Sequence, residues 1–428
     1  MWCKFFVVLV IFQVAYAKHG FGPTDQDWGH VAVRSEAYIF WWLHYTTANV
    51  TKYTDRPLII WLQGGPGGSS TGYGNFVELG PLDLDLQPRN TSWVQWANIL
   101  FVDNPVGTGF SYVENNEKLT RNNTEIANDF LVFWREFLEK IPDFKKVPTY
   151  IFCESYGGKM TAEIALVIDQ ARKSGKIETN LKGVALGDSW ISPVDSILGY
   201  APYLFSLGQI DKRGYNNIMK VANQIKADLD RGDAPSASEL WDTVDEKIFE
   251  NTYGVDMYNI LTKIQGESKG NRKVRIGLSL KDDDDDTLDN IMNNKVGPAL
   301  GLSQHWTSEN SDVFNALFAD FMNPVTTIVE RLLNETDITV AVYNGQLDLI
   351  VETPGTYKWV EDLHFKDKSL WEAASRSGFA VNGYYEGYRK KHGKFSFYWV
   401  DRAGHMVPKD NPSAMYYILN DVTNNFEV

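Results

Sequence analysis

Residues 153–159 read CESYGGK: the apolar run Tyr150-Ile151-Phe152 stops at a turn of small residues, and a helical pattern follows. A serine at the apex of a sharp strand-to-helix turn is held exposed as a nucleophile, usually within the pattern G-x-S-x-G. Here Cys153 stands where the first glycine is expected. A nucleophilic Ser155, a reactive Cys153 and a plain turn all fit these letters. Cys153 lies two positions before the apex, so its side chain should point into the strand layer, and cysteine is small enough for a strained turn. A nucleophilic serine needs a base, and the base needs an orienting carboxylate. On such a turn the chain order is serine, acid, histidine. Asp348 closes the run ITVAVYNGQLD, and His405 follows FSFYWVDRAG. Of the histidines, at 19, 30, 44, 305, 364, 392 and 405, only the last three follow Asp348. His364 in a polar helix-like segment and His392 in a Lys-rich turn read as surface residues. His405, on a Gly-flanked loop, is the candidate base.

Acyl chemistry at Ser155 also needs two backbone N–H groups aimed at the developing oxyanion. One belongs to the residue after the nucleophile, Tyr156. The second is expected from WLQGGPGGSS (61–70), where glycines let an amide approach the reacting carbonyl. No G-K-[ST] ending follows, so this is not a phosphate-binding loop. Glu154 beside Ser155 and Glu78 in NFVELGP place two carboxylates near these motifs. They are out of place for a neutral ester. They suit a substrate that itself carries a carboxyl group, if a shared proton turns repulsion into a hydrogen bond. No cofactor and no metal is expected.

These residues need a rigid frame. Short apolar runs occur at YIFWWLHY (38–45), PLIIWLQ (57–63), NILFVDNP (98–105), PTYIFC (148–153) and LKGVALGD (181–188), with helical patterns at 128–141 and 159–173. Near-continuous apolar strands alternating with helices predict a buried, largely parallel sheet. From 191 to 333 the rhythm turns helical and polar, and strand runs return at 337–348 and 394–405. The expected organisation is an α/β core, 18–190 and 334–428, interrupted by a helical insertion at 191–333. The tract Lys281-Asp282-Asp283-Asp284-Asp285-Asp286 reads as a solvated, mobile loop rather than a cation site.

The 428 residues carry a formal charge of −14, which argues against a nucleic-acid or anionic-membrane partner. MWCKFFVVLVIFQVAYA (1–17) combines Lys4, an apolar stretch and Ala15-Tyr16-Ala17. That is a cleavable secretory signal, too short to span a bilayer, and it implies a secreted or lysosomal protein. Sequons at Asn49, Asn90, Asn122 and Asn334 then become glycosylation candidates. Loss of Cys3 with the signal would leave Cys153 alone, so no intramolecular disulfide supports the fold. Oligomeric state stays open, a homodimer included.

WLQGGPG (61–67), ELGP (78–81), DNPVGTGFSY (103–112), CESYGGK (153–159), NGQLD (344–348) and GHMVP (404–408) follow one another in a single order. With these motifs the chain resembles the serine carboxypeptidases, and Gln63 brings it nearest to their retinoid-inducible branch. The resemblance implies an α/β-hydrolase fold, a mostly parallel central sheet flanked by helices, with a helical cap. It implies Ser155 as nucleophile, His405 as base and Asp348 as orienting acid, with an oxyanion hole from the N–H groups of Gly65 and Tyr156. It further implies that Gln63, Glu78 and Glu154 hold the C-terminal carboxylate of a peptide substrate. A protonated glutamate in that role implies an acidic optimum. Two positions depart from the family pattern: Gln63 replaces an asparagine, and Cys153 replaces the first elbow glycine. An acyltransferase or esterase on the same fold, or a secreted binding protein with an impaired site, are the competing readings. The carboxylate pair favours the peptidase.

Overall fold

The computed structural model describes residues 20–264 and 282–424. The expected signal segment, Cys3 and Lys281 lie outside them. Among the described residues, eleven strands form one sheet: β1 (Gln26–Arg34), β2 (Ala37–His44), β3 (Leu58–Leu62), β4 (Asn98–Asp103), β5 (Tyr112–Val113), β6 (Thr149–Glu154), β7 (Leu181–Gly187), β8 (Thr339–Gly345), β9 (Ser377–Val381), β10 (Tyr384–His392) and β11 (Phe395–Val400). Their order is β1-β2-β4-β3-β6-β7-β8-β11-β10-β9, with β5 on β2. From β4 through β11 the neighbours run parallel; β1 and β2 at one edge, and β10 and β9 at the other, are antiparallel.

The central strands are apolar on both faces because both faces are covered. Side chains alternate along β3: Leu58, Ile60 and Leu62 join one buried cluster, Ile59 and Trp61 another. The first cluster takes in α1 (Asn123–Lys140) and α2 (Tyr156–Lys173), and the second packs on the C-terminal helix. Between β7 and β8 lie α3 (Pro193–Ser206), α4 (Lys212–Asp230), α5 (Ala234–Thr252), α6 (Asp282–Ile291), the short α7 (Gly297–Leu300), α8 (Ser311–Phe321) and α9 (Thr326–Glu335). The apolar stripes of α3, α4, α5, α8 and α9, Ile197, Ile218, Trp241, Leu317 and Leu332 among them, belong to the first cluster of the sheet, whereas Leu288, Ile291 and Leu300 of α6 and α7 join a separate one. After β8 come α10 (Thr353–Asp362) and α11 (Lys368–Ala373), and after β11 come α12 (Val407–Asp410) and α13 (Pro412–Thr423). No described helix is long and apolar enough to cross a membrane.

Every apolar run named above as a strand is one, but the outer strands β1, β9 and β10 carry no such signal. β1 and β9 are the edge strands and β10 lies next to an edge, where half-exposed positions and charges such as those of YYEGYRKKH interrupt the alternation. His392, expected in a turn, ends β10 half-buried and pairs with Phe395. The aspartate tract is a correction too. Asp282–Ile291 is helical rather than a loop, and Asp285 accepts the Tyr73 hydroxyl at 2.7 Å. Acidic residues favour the first turn of a helix because the N-terminal amides are unpaired and partially positive. Leu288 and Ile291 then seat this helix on Tyr73, Phe76 and Trp306.

Packing at the ends of the central strands leaves little spare room. A Cβ on Gly187 would fall 2.1 Å from Tyr343, whose hydroxyl donates to the Cys153 carbonyl at 3.0 Å. The ring is held from both sides. Gly187→Ala is expected to lose about 1–3 kcal/mol of stability through overpacking, read as a lower urea midpoint with an unchanged m-value.

Candidate active site

In an open parallel sheet the crevice beyond the carboxyl ends of the strands is the natural place for a site. Gln63 follows β3, Glu154 ends β6 and Ser155 succeeds it, Asp188 follows β7, and the loops after β8 and β11 carry Asp348 and His405. All the chemistry-bearing residues therefore share one end of the sheet. Ser155 has φ +60 and ψ −129, a strained backbone for a non-glycine residue, and α2 begins at the next residue. Its N–H donates to Gly187 O at 3.0 Å, and its carbonyl accepts from Gly158 and Trp190, both at 2.9 Å. A Cβ on Gly157 would lie 2.4 Å from Leu62 O, and one on Gly158 2.0 Å from Ser189 Oγ. Cysteine at 153 is tolerated because its side chain enters the helix-covered face of the sheet. It is fully buried, its Sγ lies 3.3 Å from Ala185 O, and burial pushes the thiol up to about 12. A thiol so placed is a packing group.

The glycine loop is pressed onto this turn. A Cβ on Gly64 would stand 2.5 Å from Ser155 Cβ and 3.0 Å from the Tyr156 nitrogen. Gly65, the next residue, has φ +109, a conformation that suits glycine alone. Buried Asp103 pins the loop from below, accepting from Ser69 Oγ (2.8 Å), Thr71 N (3.0 Å), Thr71 Oγ1 (2.8 Å) and Phe110 N (2.9 Å). Trp306 adds an indole hydrogen bond to Ser69 Oγ at 2.9 Å. Lys159, wholly buried, pairs with Asp320 at 2.9 Å and ties the first turn of α2 to α8.

His405 Nδ1 lies 2.8 Å from Asp348 Oδ2, both side chains fully buried, and Val351 N–H donates to Asp348 Oδ1 at 3.1 Å. His405 Nε2 is buried and has no partner, so the ring has one nitrogen engaged and one open. Segment 257–260, which follows α5, straps both loops: Leu349 and Ile350 donate to Met257 O (2.9 and 3.0 Å), Ile260 to Leu347 O (3.0 Å), and His405 to Tyr258 O (2.8 Å). The Tyr258 ring meets the imidazole edge to face at 5.0 Å. No sequence signal marked this strap, because backbone carbonyls supply most of its function.

Gln63, Glu78 and Glu154 form a buried cluster. Trp61 Nε1 donates to Gln63 Oε1 at 2.7 Å and so orients the amide. Gln63 Nε2 then donates to Glu78 Oε1 at 3.0 Å and to Glu154 Oε1 at 2.9 Å. The remaining oxygen of each acid faces no N–H or O–H donor. Burial raises Glu78 above the usual carboxylate range, and burial with the adjacent Glu78 raises Glu154 well above it. The pair holds at least one proton where isolated carboxylates would hold none.

The serine carboxypeptidase family model matches residues 19–425. The chain belongs to the serine carboxypeptidase family. It is 41% identical to the retinoid-inducible serine carboxypeptidase of Rattus norvegicus over 92% of this chain and 91% of that one. The Homo sapiens protein of that name is also 41% identical, over 94% and 92%. A carboxypeptidase-like relative from Arabidopsis thaliana is 35% identical over 93% and 92%. The prohormone-processing carboxypeptidase Kex1Δp of Saccharomyces cerevisiae superposes with a TM-score of 0.80 at 23% identity, over 94% of this chain and 92% of that one. That likeness places the family member in the α/β-hydrolase fold.

Of the sequons, Asn49, Asn90 and Asn334 are exposed. Asn122 is half-buried and has a structural role as N-cap of α1, accepting from Glu125 N at 2.9 Å. Cap chemistry also explains why that helix begins at Asn123 rather than at 128. His364 is exposed, as expected.

Glu309 is a site-lining acid that no motif revealed. Its Oε1 is buried without a partner, 3.4 Å from where a Gly65 Cβ would stand. Burial, then the charge of Asp285, push Glu309 up from 4.5 to about 8. The folded chain holds this proton more tightly than the unfolded chain. Its stabilisation is therefore full below about 4.5 and is lost as pH rises toward about 8. Glu309→Gln is expected to flatten the fall of Tm between about pH 5 and about pH 8, most visibly at the alkaline end.

Proposed function

We propose that this family member is a serine-type carboxypeptidase in which Ser155 attacks the last peptide carbonyl while His405 Nε2 takes its proton. Asp348 keeps the imidazole in the tautomer that leaves Nε2 open, which the 2.8 Å contact at Nδ1 supports. The Gly65 and Tyr156 N–H groups receive the tetrahedral oxyanion. The proton on His405 passes to the leaving amino group, the C-terminal amino acid departs, and water cleaves the acyl-enzyme by the same base.

The observation that carries the exopeptidase reading is the cluster of Gln63, Glu78 and Glu154. Both N–H groups of the Gln63 amide are spent on the two acids, so its part is to hold them. The free oxygens, Glu78 Oε2 and Glu154 Oε2, carry the protons that a substrate carboxylate accepts. An esterase gains nothing from this arrangement. Because both acids are raised by burial, the clamp is armed at low pH and is lost as pH rises through the raised values. An acidic optimum follows, in keeping with the secretory signal and a secreted or lysosomal location. Residues 191–333 act as the cap whose strap holds the triad loops.

A fluorophosphonate probe is expected to label the protein, and Ser155→Ala to abolish labelling. An N-blocked dipeptide with a free carboxyl is expected to exceed its amide in kcat/KM by about 10–100-fold at acid pH, the value of a charged hydrogen bond or two. That ratio should shrink as pH rises and collapse in Glu154→Gln. Equal rates for acid and amide at every pH would leave a general esterase or amidase instead.

A further inference from the structure

Asp188 is the first residue beyond β7 and accepts the Gly345 N–H at 2.7 Å. Its φ of +41 is uncommon outside glycine and is borne best by aspartate and asparagine. The side chain is fully buried, and its Oδ2 faces no N–H or O–H donor. What lies there instead is the triad: a carboxylate oxygen of Asp188, one of Asp348 and a ring nitrogen of His405 all stand within 4.8 Å of one another. The other charged or titratable groups around this knot are Glu154 after β6 with Glu78 beyond it, Tyr343 of β8, Tyr200 and Tyr203 of α3, Glu352 before α10, Asp410 of α12, and Asp256 and Tyr258 at the strap. Among the described residues, no lysine or arginine pairs with Asp188, Asp348, Asp256 or Asp410.

We propose that Asp188 is a positioning residue that keeps its carboxyl protonated and donates that proton in a hydrogen bond to Asp348. Two buried carboxyls with oxygens within 4.8 Å of each other, and no lysine or arginine beside them, do not both ionise readily. Asp348 receives two N–H groups, from His405 and Val351, and so has the better claim to the negative charge. Burial, then the charge of Asp348, hold Asp188 well above the usual carboxylate range. The bond from Asp188 draws charge away from the Asp348 oxygen that faces His405. An imidazolium at His405 then gains less from Asp348 than it would from a lone carboxylate. The inference rests on the triad assigned above, and it accounts for an aspartate at a position where a second charge would otherwise oppose the first.

The test is a titration of the His405 ring by NMR in protein carrying 13C-labelled histidine, the resonance being assigned by its loss in His405→Gln. Wild type is compared with Asp188→Asn, which retains a neutral donor, and Asp188→Ala, which removes it. Asp188→Asn is expected to titrate within about 0.3 pH unit of wild type, and Asp188→Ala about 1 unit higher. The acid limb of kcat/KM should move with the titration. A midpoint about 1 unit lower in Asp188→Asn, the signature of a lost negative charge, would overturn the proposal, as would an unshifted Asp188→Ala. If Asp188→Ala does not fold, Asp188→Asn decides alone. If the titrations behave as expected and no peptide is cleaved, the proposed function fails while this proton remains.

Discussion

The crowding around Ser155 is the constraint from which the rest of this site follows. A residue at φ +60 between a buried strand and a helix is strained, and it persists because its neighbours leave no alternative. Leu62 O blocks a side chain at Gly157, Ser189 blocks one at Gly158, and the turn itself blocks one at Gly64. The same contacts that hold the turn press Gly64 onto Ser155 and the Tyr156 nitrogen, so the rigidity here originates in close packing. Cys153 fits because its small side chain is buried in the cluster that α1 and α2 cover.

A second theme is the number of acids buried without a cation. Glu78 with Glu154, Asp188 with Asp348, and Glu309 behind the glycine loop are taken out of water at the same end of the sheet. Isolated ionised carboxylates in such places would cost many kcal/mol, and burial accordingly raises the proton affinity of Glu78, Glu154, Asp188 and Glu309. Where burial holds a proton on such an acid, the stability that proton contributes is lost as pH rises, as at Glu309.

The central strands and the candidate triad were legible because both depend on short local patterns: an apolar run, a turn, a reactive side chain just beyond a strand. The strands at and next to the sheet edges were not, since β10 is half exposed and its charges dilute the alternation. The aspartate tract misled for a related reason. Composition alone makes it a solvated loop, yet Leu288 and Ile291 find an apolar seat and the acids lie at the favourable end of a helix dipole. Asn122 read only as a sequon, and its cap bond to Glu125 emerges from helix geometry. The strap at 257–260 left no trace, because its hydrogen bonds come from carbonyls that every residue possesses.

By itself, the sequence determined the order of elements, the identity of the candidate nucleophile, base and acid, and the presence of two glutamates near them. Residue type and neighbours along the chain suffice for these. Only the tertiary structure decided which acids touch. Gln63 clasps both Glu78 and Glu154 because β3 and β6 are hydrogen-bonded neighbours, with Leu62 opposite Cys153. Asp188 stands near Asp348 because β7 lies beside β8, although helices α3 to α9 separate the two strands in the chain. Strand register is a long-range property of the whole sheet, and proton sharing depends on it at the scale of a single ångström.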